Sequence, residues 1–172
     1  MTYLITGFPG TGKSAVSDEL ERRGYKSYNT DDLPGFSHFI DRQTQKPIDR
    51  PIDAPDDWNL NHDWVWDPNK IKEALNQEGD VFICAITPNQ THYYPEFNKI
   101  FVLNVDERTL HHRIATRSSN DYGKKPQELD HILKNYKEFG QNIGKKHGAI
   151  LIDATQPLEK VVDEILSHVH GN

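Results

Sequence analysis

Short, continuous apolar runs alternate along this chain with longer segments whose apolar residues recur every three or four positions. Five runs predict strands: Tyr3–Thr6, Lys26–Tyr28, Val81–Ala85, Lys99–Val105 and Ala149–Ile152. Most lack the apolar–polar alternation of a half-wetted sheet, so they fit parallel strands covered on both faces. Helical stripes lie between them. Ala15, Val16 and Leu20 form one, stopped by Gly24, and Ile71, Ala74 and Leu75 form another, stopped by Gly79. Leu110 and Ile114 mark a third. A long amphipathic stripe runs from Leu129 to Ile143, and the last from Leu158 to Val169. Such alternation predicts an α/β three-layer sandwich with right-handed crossovers, one domain over residues 1–172.

Two stretches break the rhythm. Residues 33–68 hold five prolines, many aspartates and all three tryptophans. Residues 117–126 are polar and contain a glycine between two helical stripes. Long irregular insertions in a compact α/β domain usually carry function.

The chemistry starts at the first strand–helix junction. Residues 7–14 read Gly-Phe-Pro-Gly-Thr-Gly-Lys-Ser, the G-x-x-x-x-G-K-S spacing of a phosphate cradle. The glycines Gly7, Gly10 and Gly12, with Pro9 and Thr11 between them, let backbone amides turn toward phosphates. Lys13 is placed to reach the β and γ oxygens, and the Ser14 hydroxyl to ligate Mg²⁺. The positive end of the following helix dipole adds to the same point. A strand before the loop and a helix after it are the context the motif requires. ATP and Mg²⁺ are therefore the expected cofactors.

Composition narrows the class. The net charge is −6, so no global basic field for nucleic acid exists. A single cysteine, Cys84, sits in an apolar run; it excludes a disulfide framework and reads as a small buried hydrophobe. The chain opens directly into a strand, and no apolar stretch approaches the roughly 20 residues of a membrane span. A cytoplasmic location is expected.

A Mg²⁺–nucleotide site calls for a carboxylate near Ser14. Asp106 stands before Glu107-Arg108-Thr109-Leu110 and reads as a helix N-cap. Asp153 precedes another helix start and reads as a turn or cap residue. Asp31 and Asp32 open the irregular insertion with no helix to cap. They are the favoured acids, Asp31 for metal or catalysis and Asp32 for acceptor contact. The third run ends Cys84-Ala85-Ile86-Thr87 and offers no acid. Arg113 and Arg117 are four apart, share a helix face, and lead into the polar stretch 117–126, an expected lid. They are candidates for neutralising a transferring phosphoryl group.

These residues carry a family resemblance. The Gly-x-Pro-Gly-x-Gly-Lys-Ser loop resembles that of adenylate and other nucleoside-monophosphate kinases. Asn29-Thr30-Asp31 is similar to the Asp-x-Asp of shikimate and gluconate kinases, with Asn29 replacing the first acid. Arg113 and Arg117 resemble the lid arginines of both groups. Asp153-Ala154-Thr155-Gln156-Pro157 resembles their adenine-side loop, so Thr155 and Pro157 are implied base neighbours. The resemblance implies a P-loop kinase with a five-stranded parallel sheet in the order 2-3-1-4-5. It does not extend to the residues after the third strand, Ala85-Ile86-Thr87-Pro88-Asn89, and so brings no substrate with it.

The insertion centres on His62-Asp63-Trp64-Val65-Trp66-Asp67. Trp64 and Trp66 share a face if the segment is extended. Aromatics beside carboxylates suit a flat or hydroxylated acceptor, and a tryptophan mini-core is the alternative. Asp32, His62, Trp64, Trp66 and Asn89 are the candidate acceptor contacts. Arg42, Lys46 and Arg50 face many acids in this stretch, which leans toward a neutral acceptor. The expected activity is phosphoryl transfer from ATP·Mg²⁺ to a nucleoside, nucleoside monophosphate or polyol. The rival is a nucleotide-dependent regulatory ATPase acting with a protein partner.

Overall fold

The computed structural model describes residues 1–55, 57–118 and 122–171. Its elements run β1 (Thr2–Thr6), α1 (Lys13–Arg22), β2 (Lys26–Asn29), β3 (Ser37–Asp41), α2 (Trp58–Asn61), β4 (His62–Trp66) and α3 (Pro68–Leu75). They continue with β5 (Val81–Cys84), a 3₁₀ stretch (Pro88–Glu96), β6 (Lys99–Asn104), α4 (Glu107–Thr116), α5 (Pro126–His147), β7 (Ile150–Asp153) and α6 (Leu158–His170).

Five strands form one parallel sheet, ordered β2-β5-β1-β6-β7. With β3 and β4 set aside, this is the order 2-3-1-4-5 of a P-loop kinase sheet. β1 sits at the centre, buried at every position, in register with Val81–Cys84 on one side and Lys99–Val102 on the other. Alternate side chains leave opposite faces. Tyr3, Ile5, Phe82 and Phe101 pack under α1 and α6, and Leu4, Ile83 and Val102 pack with Ile71 of α3 on the other face. Each fully buried Leu, Ile or Phe stabilises the fold by about 1.5–3 kcal/mol. This is why the strands read as continuous apolar runs.

Local chemistry sets the helix starts. Asp106 caps α4 by accepting from Thr109 N at 2.8 Å, and Asp67 caps α3 through Asn69 N and Lys70 N, with Pro68 at the first turn. Asp153 accepts from Thr155 N and Oγ1 at 3.0 and 2.6 Å, so it orders a turn.

The stretch 33–68 is not wholly irregular. β3 and β4 pair antiparallel, Ser37 opposite Trp66 and Asp41 opposite His62, and form an arm beside the main sheet. Asp56 of this arm and residues 119–121 of the expected lid lie outside the described residues. Among the described residues no helix is long and apolar enough to cross a membrane.

Candidate active site

The turn after β1 carries the phosphate-cradle residues onto the N-terminus of α1. Gly12 is the N-cap with φ 106°, a left-handed conformation that glycine takes without a Cβ penalty. Thr11 closes the turn, with N and Oγ1 both donating to Phe8 O at 3.2 and 2.9 Å. Lys13 folds back under the loop, its Nζ donating to Gly7 O at 2.6 Å and Phe8 O at 3.3 Å. Burial pushes its pKa down to about 8; Asp31 opposes that shift and Arg117 reinforces it. A buried ammonium held by two carbonyls is poised for an anion.

A cleft of about 1310 Å³ opens over this loop. One side of its wall comes from the arm, through Phe39, His62 and Trp64. The other comes from α4 and α5, and Gln156 and Leu158 close the end beyond β7. The crevice lies outside the carboxyl ends of the parallel strands, where open α/β sheets bind ligands.

At the start of α1, Asn29 Nδ2 donates to Ser14 Oγ at 3.1 Å and also to the Asp32 carboxylate. Asp31 lines the cleft and accepts from Trp64 Nε1 at 2.9 Å. Loss of hydrating water raises the Asp31 pKa, while the Lys13 charge and the Trp64 N–H pull it back.

Arg113 ties the glycine-rich loop to the turn after β7. Its Nη1 donates to Thr11 O at 3.3 Å and its Nη2 to Ala154 O at 2.9 Å. Arg117 Nη2 donates to Tyr122 O, holding the turn at Tyr122 and Gly123 that falls in the expected lid. Glu128, nearly buried in the first turn of α5, accepts from Gly123 N at 2.8 Å and from Asn59 Nδ2 of the arm at 3.0 Å. Gly123 itself has φ +92°, and a Cβ there would meet Ile132 Cδ1 at 2.8 Å.

Several expected contacts sit elsewhere. Trp66 is wholly buried, and its Nε1 donates to Thr30 Oγ1 at 2.9 Å, so it is core and not an acceptor wall. β4 runs from the rim into the interior, and burial rises along it. Asn89 is a clamp: its Oδ1 accepts from Trp66 N at 3.1 Å and its Nδ2 donates to Trp66 O at 3.0 Å. Its amide is used up in holding β4 to the 3₁₀ stretch. Asp32 stays outside the cleft wall, engaged by Asn29. Thr155 is tied to Asp153, and neither Thr155 nor Pro157 lines the cleft; Ala154 and Gln156 do. Nothing in the sequence pattern marks Glu128 or Asn59, because their contact joins positions 69 residues apart.

This is the α/β P-loop kinase fold: a central parallel sheet, a glycine-rich loop after its middle strand, and an arm and a turn around one cleft. Residues 4–134 match the model of the AAA domain family, and the chain belongs to that family. Solved structures share the fold. Deoxyadenosine kinase from M. mycoides, with products dCMP and a flexible dCDP bound, superposes with TM-score 0.63 at 16% identity, covering 100% of both chains. Shikimate kinase from Aquifex aeolicus gives 0.60 at 17% identity, covering 100% of this chain and 98% of that one. A gluconokinase from Sinorhizobium meliloti gives 0.56 at 20% identity, covering 96% and 89%.

Proposed function

We propose that this protein transfers the γ-phosphoryl group of ATP to a hydroxyl of a small-molecule acceptor. One observation carries the reading: Lys13, Asp31 and Arg117 open on a single cleft between cradle, arm and lid. ATP lies with its triphosphate over Gly7–Ser14. Lys13 and Arg117 stabilise charge on the moving phosphoryl, and Asp31 orients the acceptor hydroxyl and takes its proton. The acceptor oxygen bonds to the γ-phosphorus as the bridging oxygen leaves with ADP.

The residues fit Mg²⁺ as well. Ser14 Oγ and the Asp31 carboxylate are hard oxygen donors, and Asn29 stands against Ser14. Among the described residues no three His, Cys, Asp or Glu side chains converge, so the ion would complete its shell with phosphate oxygens and water. When bound, it neutralises charge between the β and γ phosphates.

The test is ADP release from ATP·Mg²⁺ over a panel of nucleosides, nucleoside monophosphates and sugars. Acceptor-stimulated turnover that Lys13→Ala reduces by roughly 10²-fold or more supports the reading. Hydrolysis indifferent to every small molecule but stimulated by a protein partner would replace it with a regulatory ATPase.

A further inference from the structure

We infer that Tyr136 is a positioning residue for nucleotide binding: through the Phe8 ring it holds the glycine-rich loop in the shape that receives phosphates. The inference rests on reading that loop as the nucleotide cradle. Three of the six residues 7–12 are glycine. Glycine loses more backbone freedom on ordering than any other residue, so a loop of this composition resists being fixed in one shape. Phe8 is the one aromatic side chain in the stretch, and it is buried.

Two rings of α5 grip it. Phe8 meets Tyr136 edge to face, with centroids 5.8 Å apart at 82°, and Phe139 in the same way at 5.0 Å and 84°. Aromatic pairs favour this geometry. Tyr136 is itself fastened. Its Oη accepts from Val105 N at 2.7 Å, and its one proton is donated to Val105 O at 2.6 Å, with Asn104 Oδ1 also in reach at 3.0 Å. Asn104 ends β6, so the helix is tied to the sheet at the point where it grips the loop. Against the same strand the loop has no slack: a Cβ on Gly7 would lie 2.6 Å from Thr11 Oγ1 and 2.9 Å from Leu103 O. Phe8 O accepts from Thr11 N, Thr11 Oγ1 and the Lys13 ammonium. Turning the Phe8 peptide would therefore open the turn and displace the lysine together. Phe8 and Phe139 line the cleft, whereas Tyr136 forms no part of its wall. Tyr136 acts on a nucleotide only through the loop. A loop already ordered loses less freedom when the nucleotide binds, and the difference appears as affinity.

Calorimetry with ATP·Mg²⁺ and hydrogen exchange at the Thr11 amide test the clasp together. Tyr136→Leu removes the ring edge, and Kd for ATP·Mg²⁺ should rise about 3- to 10-fold. The Thr11 N–H should exchange roughly tenfold faster or more relative to the amides of Leu4 and Ile83 in the central sheet. Tyr136→Phe keeps the ring and should recover about half of the lost affinity or more. Phe8→Leu removes the other half of the contact, so the double variant should bind no more weakly than Phe8→Leu alone. Ile71→Val loosens the core on the other face of the sheet without touching the loop, and should leave Kd unchanged. A Kd for Tyr136→Leu within about twofold of wild type, Thr11 exchange that follows the sheet amides, additive losses in the double variant, or an equal effect of Ile71→Val would overturn the inference. If Tyr136→Leu does not fold, Phe8→Leu is read by the same two measurements against the same limits. The wild-type titration separates the two levels. If it shows no uptake of ATP·Mg²⁺, the cradle reading goes and takes this one with it; if it shows uptake that the variants match, only the clasp is lost.

Discussion

Trp64 aims Asp31: its indole N–H reaches the Asp31 Oδ1 at 2.9 Å from 33 residues further along the chain. The bond joins the segment after β2 to the arm, so the base proposed for the acceptor hydroxyl is held by the element proposed to hold the acceptor. Trp64→Phe keeps an aromatic ring beside Phe39 while it deletes the donor and part of the ring. A hydrogen bond to an ionised group is worth about 1.5–3 kcal/mol, so kcat should fall roughly 10- to 100-fold. The sign of the pH effect is fixed. The Trp64 N–H favours the carboxylate form, and its removal lets desolvation raise the Asp31 pKa further. The acidic limb of the kcat–pH profile should therefore move to higher pH. A limb that stays in place would remove Asp31 as the base.

Lys13 predicts a proton linkage. Burial holds its folded-state pKa at about 8, below the free lysine value of 10.5. A bound triphosphate replaces the missing solvation and restores the charge. Nucleotide binding should then take up about half a proton at pH 8 and approach one near pH 9.5, with little uptake below pH 7. Calorimetry in buffers of differing ionisation enthalpy measures this directly. Apparent affinity should fall as pH rises through 8. The same shift works on stability in the opposite sense: with its folded-state pKa depressed, Lys13 weakens the nucleotide-free fold below pH 8, and that penalty fades as pH climbs from 8 toward 10.5. Constant proton uptake across pH 7–9.5 would contradict the buried, carbonyl-held ammonium.

Thr30 and Trp66 test which tryptophans are core. Both are fully buried, and Trp66 Nε1 donates to Thr30 Oγ1. Thr30→Val leaves a buried indole N–H without its acceptor and should cost about 1–3 kcal/mol in urea unfolding. Trp66→Ala should cost about 3–5 kcal/mol. Trp66→Phe should lower stability while leaving acceptor KM within twofold. A large KM change in that variant would restore Trp66 to the acceptor wall.

The parts of this molecule readable from its sequence are those that local order determines. Residues 7–14 form a turn closed by hydrogen bonds of its own, such as Thr11 to Phe8 and Lys13 to Gly7. Asp106 caps the helix that starts one residue later. The central strands are buried on both faces, so their apolar runs survive as a signal. The arm is different. β3 and β4 pair across residues 42–61, and a pairing over that distance, interrupted by prolines, leaves little local periodicity. His62-Asp63-Trp64-Val65-Trp66 shows alternating aromatics, but only the folded chain reveals that the strand dives from cleft to core between Trp64 and Trp66. Asn89 failed for a related reason: its amide is claimed by the backbone of Trp66, 23 residues away. Acid counting along the arm likewise could not tell which charges face the cleft.

Glu128 gives the lid a structural test. Its carboxylate, 8% exposed, takes the Gly123 N–H of the lid turn and the Asn59 amide of the arm. Both partners are donors, and an ionised carboxylate can satisfy both at once. Leucine, of similar size, can accept from neither. Glu128→Leu should therefore leave the buried Gly123 N–H unpaired and cost about 1–3 kcal/mol. The cost should be local: exchange of the Gly123 amide should speed up at least tenfold, while amides of Leu4 and Ile83 in the central sheet slow or quicken only with global stability. Because the same carboxylate touches lid and arm, loosening it should also raise the KM for ATP and for the acceptor together. An exchange rate at Gly123 that follows the sheet amides would mean that lid and arm are not joined through Glu128 in solution.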